Sequence, residues 1–418
     1  MKLAIFSDTH LGFGRLEGRY QDAFEAFEEA IEKSLECDAI LIAGDIFDSQ
    51  HPDAETFSRA IECMVKAHLS ENRTGSIKGI GKDMEKLNPL CLMGIPILAL
   101  HGNHERRARG LLNPVQAMEK AGFLIHLHAN GAILEKDGER VAVQGLSAVP
   151  DAYLPEILRQ WDPKPAEGCY NVLLMHQIIE GFAFGHRPLK LTNVPKGFDI
   201  LIDGDIHEKH MERAGKNGST LLISGSTIAT KLDKKAEEMK GIWLLDTRES
   251  SLNYVSFEKQ RRTYFLDAGQ AERNSIEEFI GQILEKKHDK KPLIRIRHSS
   301  KNDFLQLIAE KYSKDAIISF RREMADSIQG EKMQLEMPSV TELGKGILRA
   351  GLSDRGLEPE IFETIFDLLC EGKEKDAMEM VEEFSRRNAK KQLERPAEKT
   401  GRGKGAKRTG DFISRKAF

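Results

Sequence analysis

Five places along the chain set carboxylate, amide or imidazole groups directly behind a short apolar run. Asp8 and His10 follow Lys2–Ser7, and Asp45 follows Ala39–Ala43. Asn103 and His104 follow Ile95–Leu100, His176 follows Asn171–Met175, and Asp205 with His207 follows Phe198–Ile202. Short apolar runs of this kind read as buried strands. In open α/β sheets, ligands bind at the carboxyl edge where such strands end. Taken singly, each cluster is an ordinary polar turn. Taken together, they can converge on one sheet edge as a mixed oxygen and nitrogen donor set, which suits two divalent ions bridged by one carboxylate. A pair of ions roughly 3.5–4 Å apart activates a water and stabilises a phosphoryl oxygen, and a neighbouring His protonates the leaving oxygen. The chemistry implied is hydrolysis of a phosphate ester.

The elements between the clusters must hold them in place. Tyr20–Leu35 carries Phe24, Phe27, Ile31 and Leu35 at helical spacing. A second helix is expected over Ala54–Leu69, after Pro52-Asp53, and a third over Asn113–Ala121. Strand and helix in alternation predict a layered α/β domain. Ser70–Pro89 is polar and weakly periodic, and reads as an insertion or long loop. Ile133–Gln144 holds a hairpin around Lys136-Asp137-Gly138. Thr220–Ile223, Gly241–Asp246 and Leu252–Phe257 read as closing antiparallel strands. The charged stretch Glu258–Thr263 suggests a boundary. Beyond it, Ser275–Lys286 (helix), Leu293–Arg297 (strand), Phe304–Lys311 (helix) and Ala316–Phe320 (strand) form a small second α/β unit. Val340–Phe384 changes to short amphipathic helices, which suit either a partner surface or the chain's own core. From Arg386 to Phe418, twelve Lys/Arg stand against three Asp/Glu, as expected of a disordered basic tail.

With 418 residues the chain has room for more than one core. Its formal net charge of −4 neither favours nor excludes a polyanionic partner, because a local basic patch survives inside a neutral total. The five cysteines are scattered, with no Cys-x-x-Cys, which argues against a disulfide scaffold or a structural zinc. No apolar stretch has the length of a membrane span, and the first residues read as a strand rather than a signal peptide.

Asp8-x-His10, Gly44-Asp45, Gly102-Asn103-His104-Glu105, His176 and Gly204-x-x-His207 resemble the five ordered motifs of the calcineurin-like metallophosphoesterases. Within that superfamily the chain looks most like the nucleases that repair DNA double-strand breaks beside a coiled-coil ATPase, of the Mre-eleven type in archaea and the SbcD type in bacteria. His101 ahead of the Gly-Asn-His, the Arg106–Gly110 run and Ser224-Gly225-Ser226-Thr227 are similar to that family. The resemblance implies a four-layer αββα core over residues 1–260 and a small α/β capping domain over 262–335. It further implies ATPase-binding helices over 338–386 and a basic tail over 387–418. It implies two manganese ions, with magnesium as an alternative. Asp8, His10, Asp45 and His207 would hold one ion, and Asp45, Asn103, His176 and Asp205 the other, with His104 assisting the leaving group. It implies exonuclease work on duplex ends, endonuclease work on single strands, a homodimer, an SMC-like ABC ATPase partner and a cytoplasmic, nucleoid-associated protein.

Two positions depart from the family pattern. Asp205 stands where a His is usual, and His210, three residues on, is the alternative donor. A third negative charge among the ligands, with Asp8 and Asp45, predicts a bias towards manganese or magnesium over zinc. Asp48 stands where archaeal and eukaryotic members commonly carry a His. Two rivals remain at the level of sequence. One is a phosphomonoesterase or cyclic-nucleotide phosphodiesterase of the same superfamily, and the other a metal-poor scaffold bridging DNA and the ATPase.

Overall fold

The computed structural model describes residues 1–72, 74–108, 110–182, 188–213, 219–298, 303–322 and 359–370, together with Met378, Met380 and Val381. The chain divides into two compact units, Met1–Ala325 and Asp326–Phe418. In the first, the strands are β1 (Lys2–Phe6), β2 (Ala39–Ile42), β3 (Ser76–Ile80), β4 (Ile97–Ala99), β5 (Ile125–His126), β6 (Asn130–Lys136), β7 (Glu139–Leu146) and β8 (Tyr170–Met175). They continue as β9 (Ile200–Asp203), β10 (His210–Glu212), β11 (Thr220–Ile223), β12 (Gly241–Asp246), β13 (Ser251–Ser256), β14 (Thr263–Gly269), β15 (Leu293–His298) and β16 (Ile317–Arg322). The helices are α1 (Tyr20–Lys33), α2 (Ala54–His68), α3 (Pro114–Ala121), α4 (Leu154–Trp161), α5 (Arg273–Leu284) and α6 (Asp303–Lys311).

Two sheets stack face to face, ordered β13-β12-β1-β2-β4-β5 and β10-β11-β9-β8-β7-β6-β3. Side chains alternate along each strand, so β1 sends Leu3 and Ile5 one way and Ala4 and Phe6 the other. Leu3 and Ile5 meet Leu41, Leu98, Val143, Leu174 and Ile202 between the sheets. Ala4 and Phe6 meet Phe24, Phe27 and Ile31 of α1 and Met64 of α2 on the outer face. Leu154 and Leu158 of α4 cover the far face of the second sheet, against Leu173 and Met175. The layers are therefore helix, sheet, sheet, helix, the αββα sandwich expected. The ligand-bearing strands β1, β2, β4, β8 and β9 are covered on both faces, hence their unbroken apolar runs.

The small three-stranded sheet β14-β15-β16 is all parallel, and α5 and α6 pack on it around Ile276, Ile280, Ile294, Ile296 and Ile308. Arg261 fastens this part to α1, through two bonds to Asp22 of 2.7 and 2.9 Å. In the second unit the helix α7 (Pro359–Cys370) falls within the amphipathic stretch expected there. The expectations for residues 338–358 and 387–418 lie outside the described residues. Among the described residues no helix is long and apolar enough to cross a membrane.

Four local expectations need correction. Ser70–Pro89 is not all loop: it contains β3, which pairs antiparallel with β6 at the sheet edge. An edge strand needs one partner and no buried face, so its sequence carries little apolar alternation. The helix α4 was not foreseen, because only Leu154 and Leu158 in its eight residues are buried. Thr220–Ile223 runs parallel to β9 rather than antiparallel, and is antiparallel only to the short β10. The small three-stranded sheet begins at Thr263, inside the stretch expected to be a boundary.

Candidate metal centre

All eight side chains singled out by sequence meet at the carboxyl edges of the two sheets. Asp8 and His10 follow β1, Asp45 follows β2, and Asn103 and His104 follow β4. His176 follows β8, while Asp205 and His207 follow β9. The backbone at Asp8, His10, Asp45 and Asp205 is left-handed, with φ of 51°, 45°, 51° and 65°. Non-glycine residues held there carry strain of order 1–3 kcal/mol each, a cost concentrated at functional sites. The glycines beside the ligands answer a different need, close approach. A Cβ on Gly44 would lie 2.3 Å from His176 Nδ1, and one on Gly102 would lie 2.0 Å from Asp45 Oδ1.

On one side, Asp8 Oδ1 lies 3.5 Å from His207 Nε2 and 3.9 Å from His10 Nε2, and the two imidazole nitrogens are 3.1 Å apart. On the other, His176 Nε2 lies 3.4 Å from Asp45 Oδ2 and 3.6 Å from Asp205 Oδ1. Asn103 donates its amide to Asp205 Oδ1 at 2.6 Å. Asp8 with Asp45 and His176 forms a third donor group linking the two sides.

The rest of each ligand is already engaged, which fixes which atom faces inward. His176 Nδ1 donates to the Ala43 carbonyl at 2.6 Å, so Nε2 offers its lone pair. His10 Nδ1 bonds Asp48 at 3.0 Å, and His207 Nδ1 bonds Thr230 Oγ1 at 2.6 Å. Asp8 Oδ2 accepts from Ser7, and Asp45 Oδ1 accepts from the His104 backbone at 2.9 Å. Two inward atoms, Asp8 Oδ1 and His176 Nε2, are buried without any hydrogen-bond partner. Orphaned buried polar atoms are rare, and here they face each other across one small space. An oxygen and imidazole donor set without thiolate, each member oriented from behind, fits divalent ions.

The electrostatics point the same way. Burial opposes charge on Asp8 and Asp45, yet the imidazoles of His207 and His176 hold both carboxyls below their ordinary value. Burial likewise opposes charge on His176, and Asp45, Asp8 and Asp205 outweigh it, raising that imidazole well above its usual value. Asp205 is pushed up by burial and by the Asp8 and Asp45 carboxylates.

Sequence reasoning missed the supporting role of four residues. Glu105 is fully buried and accepts the backbone N–H of Gly102 and of Phe47, each at 2.8 Å, so one carboxyl ties together the loops carrying Asn103 and Asp45. Burial and the Asp45 charge push this carboxyl up to about 8. Asp203, the last residue of β9, accepts from Gln177 N at 3.1 Å beneath the site, and burial holds its carboxyl far above the ordinary value. Asp48 and Thr230 orient His10 and His207. Of these, Glu105, the fourth letter of the Gly-Asn-His-Glu turn, and Asp48, singled out by its place after Gly44-Asp45, had a signal in the sequence. His104 is half-exposed, with its ring edge-on to His10 at 4.7 Å and Nδ1 3.2 Å from the Asp48 carbonyl. His210, the alternative donor, lies with its ring 4.8 Å from Phe182.

The calcineurin-like phosphoesterase family pattern matches residues 1–209. The DNA double-strand break repair protein Mre11 of Methanopyrus kandleri is 27% identical over 279 residues, covering 62% of this chain and 56% of that protein. The protein of the same name from Sulfolobus acidocaldarius is 22% identical over 410 residues, covering 92% of this chain and 99% of that one. The double-strand break repair protein MRE11 of Arabidopsis thaliana is 24% identical over 288 residues, covering 59% of this chain and 40% of that one. The aligned part of this chain thus spans about half the length of the Methanopyrus protein and less of the plant one. Family pattern and donor geometry agree on a phosphoesterase that binds divalent metal: the chain belongs to the calcineurin-like phosphoesterase family.

Proposed function

We propose that this protein is a manganese-dependent DNA nuclease that processes double-strand breaks. It acts as an exonuclease on duplex ends and an endonuclease on single strands, as a homodimer with an SMC-like ABC ATPase. The names of the relatives support the substrate, and their alignment along 92% of this chain in one case supports the wider organisation. In that organisation residues 1–260 are the nuclease, 262–335 a cap that touches DNA, 338–386 the ATPase-binding segment and 387–418 a tail making unspecific phosphate contacts. The observation that carries the catalytic reading is the pair of facing, partnerless atoms, Asp8 Oδ1 and His176 Nε2.

Asp8, His10, Asp45 and His207 would hold one ion, and Asp45, Asn103, His176 and Asp205 the other. When bound, such ions supply an activated water and offset the charge that develops on the phosphoryl oxygens. Asp48 and Thr230 keep the imidazoles of His10 and His207 turned inward. His104, whose Nδ1 donates to the Asp48 carbonyl, leaves Nε2 outward, and in its imidazolium form would give the Nε2 proton to the leaving oxygen. Its exposure leaves that nitrogen within reach of a long substrate.

The test is cleavage of linear duplex and single-stranded DNA by the purified full chain in manganese, magnesium or zinc, beside p-nitrophenyl phosphate. DNA cleavage that needs manganese and stops on chelation is expected. Turnover of the monoester with DNA left intact would overturn the reading.

A further inference from the structure

Beside Asp205 and His207 the metal centre opens into a cavity of about 730 Å³. That is far more room than one phosphate needs, and within the range that holds ligands of nucleotide size. Four lysines line it: Lys209, Lys231, Lys235 and Lys240. Two of them are already neutralised. Lys209 pairs with Glu238 at 2.6 Å, and Lys235 pairs with Glu208.

The other two are not. Lys231 is exposed at the rim, and among the described residues no carboxylate pairs with it. Lys240 lies deeper, with its ammonium donating to the His207 carbonyl at 2.9 Å and to Ser226 Oγ at 3.2 Å. Both acceptors are neutral, and an ammonium has three donors, so one stays unspent. Among the described residues Lys240 makes no ion pair, and the nearby Glu238 is bonded to Lys209. A part-buried ammonium whose hydrogen bonds all go to neutral acceptors keeps one donor ready for an anion that completes the site.

We propose that Lys240 and Lys231 form a phosphate subsite, which receives the backbone phosphate next to the scissile one in a nucleic-acid strand. Lysine serves here as a compact point charge for a phosphate and reads no base. The subsite makes the centre selective for a polymer over a small ester, since a lone phosphate diester on the ions has no second phosphate to offer. This deepens the nuclease reading and rests on it.

The experiment compares kcat/KM for a single-stranded oligonucleotide and for bis(p-nitrophenyl) phosphate, in manganese, for the parent, Lys240→Met, Lys240→Arg and Lys231→Glu. The oligonucleotide-to-small-ester ratio is expected to fall about tenfold or more in Lys240→Met, through KM, as loss of a charge-assisted bond requires. Lys240→Arg should recover most of the ratio. Lys231→Glu, on an exposed side chain that the fold does not need, should lower it too and flatten the salt dependence of KM by about one contact. A lysine that only braces the His207 loop would lower both substrates alike. A ratio within about twofold of the parent in both Lys240→Met and Lys231→Glu would therefore overturn the subsite. A parent that hydrolyses the small ester but leaves the oligonucleotide intact would instead sink the nuclease reading.

Discussion

Replacing Glu105 by Ala isolates what holds the two ligand loops together. The Glu105 carboxyl is fully buried and receives two backbone N–H groups, from Phe47 and Gly102, at 2.8 Å each. Truncation leaves both donors buried and unpaired, and each such loss is worth about 1–3 kcal/mol. Taking the middle of that range twice gives about 4 kcal/mol of lost stability. At about 2 °C per kcal/mol, as expected for a unit of this size, the metal-free Tm falls by about 8 °C. The loops released are those of Asp45 and Asn103, so metal binding should suffer as well. Loss of groups that orient ligands from behind typically weakens metal about 10–100-fold. Calorimetric melting in chelator measures the first effect, and titration with manganese the second. Glu105→Gln keeps one acceptor and should fall between. If Glu105→Ala melts within about 1 °C of the parent and binds manganese with the same Kd, the carboxyl is not the tie described.

Asp205→His removes one of three carboxylates from the proposed ligand set and installs the donor usual in the family. The ratio of zinc to manganese affinity should rise about tenfold or more, since imidazole suits zinc better than a carboxylate does. An unchanged ratio by competitive titration would remove Asp205 from the coordination sphere. The buried pair His101 and His126, whose rings bond at 2.9 Å, gives a pH prediction. Burial and the neighbouring His128 hold His101 down to about 3, and burial with the His101 charge holds His126 well below the ordinary imidazole value. Both are neutral when folded, while the unfolded chain takes up protons below about pH 6.5, so stability falls as pH drops through that value. His126→Gln should remove about 1–2 kcal/mol of the loss between pH 6.5 and 5. Denaturant melts at the two pH values measure it, and an equal loss in both proteins would contradict the assignment.

The ligands were legible because strands covered on both faces write themselves as unbroken apolar runs, and the polar residue that ends such a run stands out. Asp8, Asp45 and His176 could be found this way. The residues that aim them could not. Asp48 stood out as a position but not as the partner of His10, Thr230 belongs to a loop whose path depends on tertiary contacts, and Asp203 looks like any strand-end carboxylate until its burial is seen. Lys240 closes a run rich in Lys and Glu that starts at Asp233, where one part-buried ammonium is indistinguishable from its solvated neighbours. The strained backbone at Asp8, His10, Asp45 and Asp205 has no sequence mark either, since Asp and His occur freely elsewhere. For the same reason β3 and α4 were missed: an edge strand and a two-contact helix bury too little to impose a pattern.

The proposed donors come from both halves of the sandwich, with Asp8, His10, Asp45 and Asn103 on one sheet and His176, Asp205 and His207 on the other. Between them run a few direct bonds, among them His176 to the Ala43 carbonyl at 2.6 Å, Asn103 to Asp205 at 2.6 Å and Ser7 to Ser224 at 2.7 Å. Cations seated there would act as rivets through two stacked plates. The sheets could then no longer peel apart at that end without first giving up the metal, so occupancy would add to the mechanical cohesion of the sandwich as well as to its reactivity.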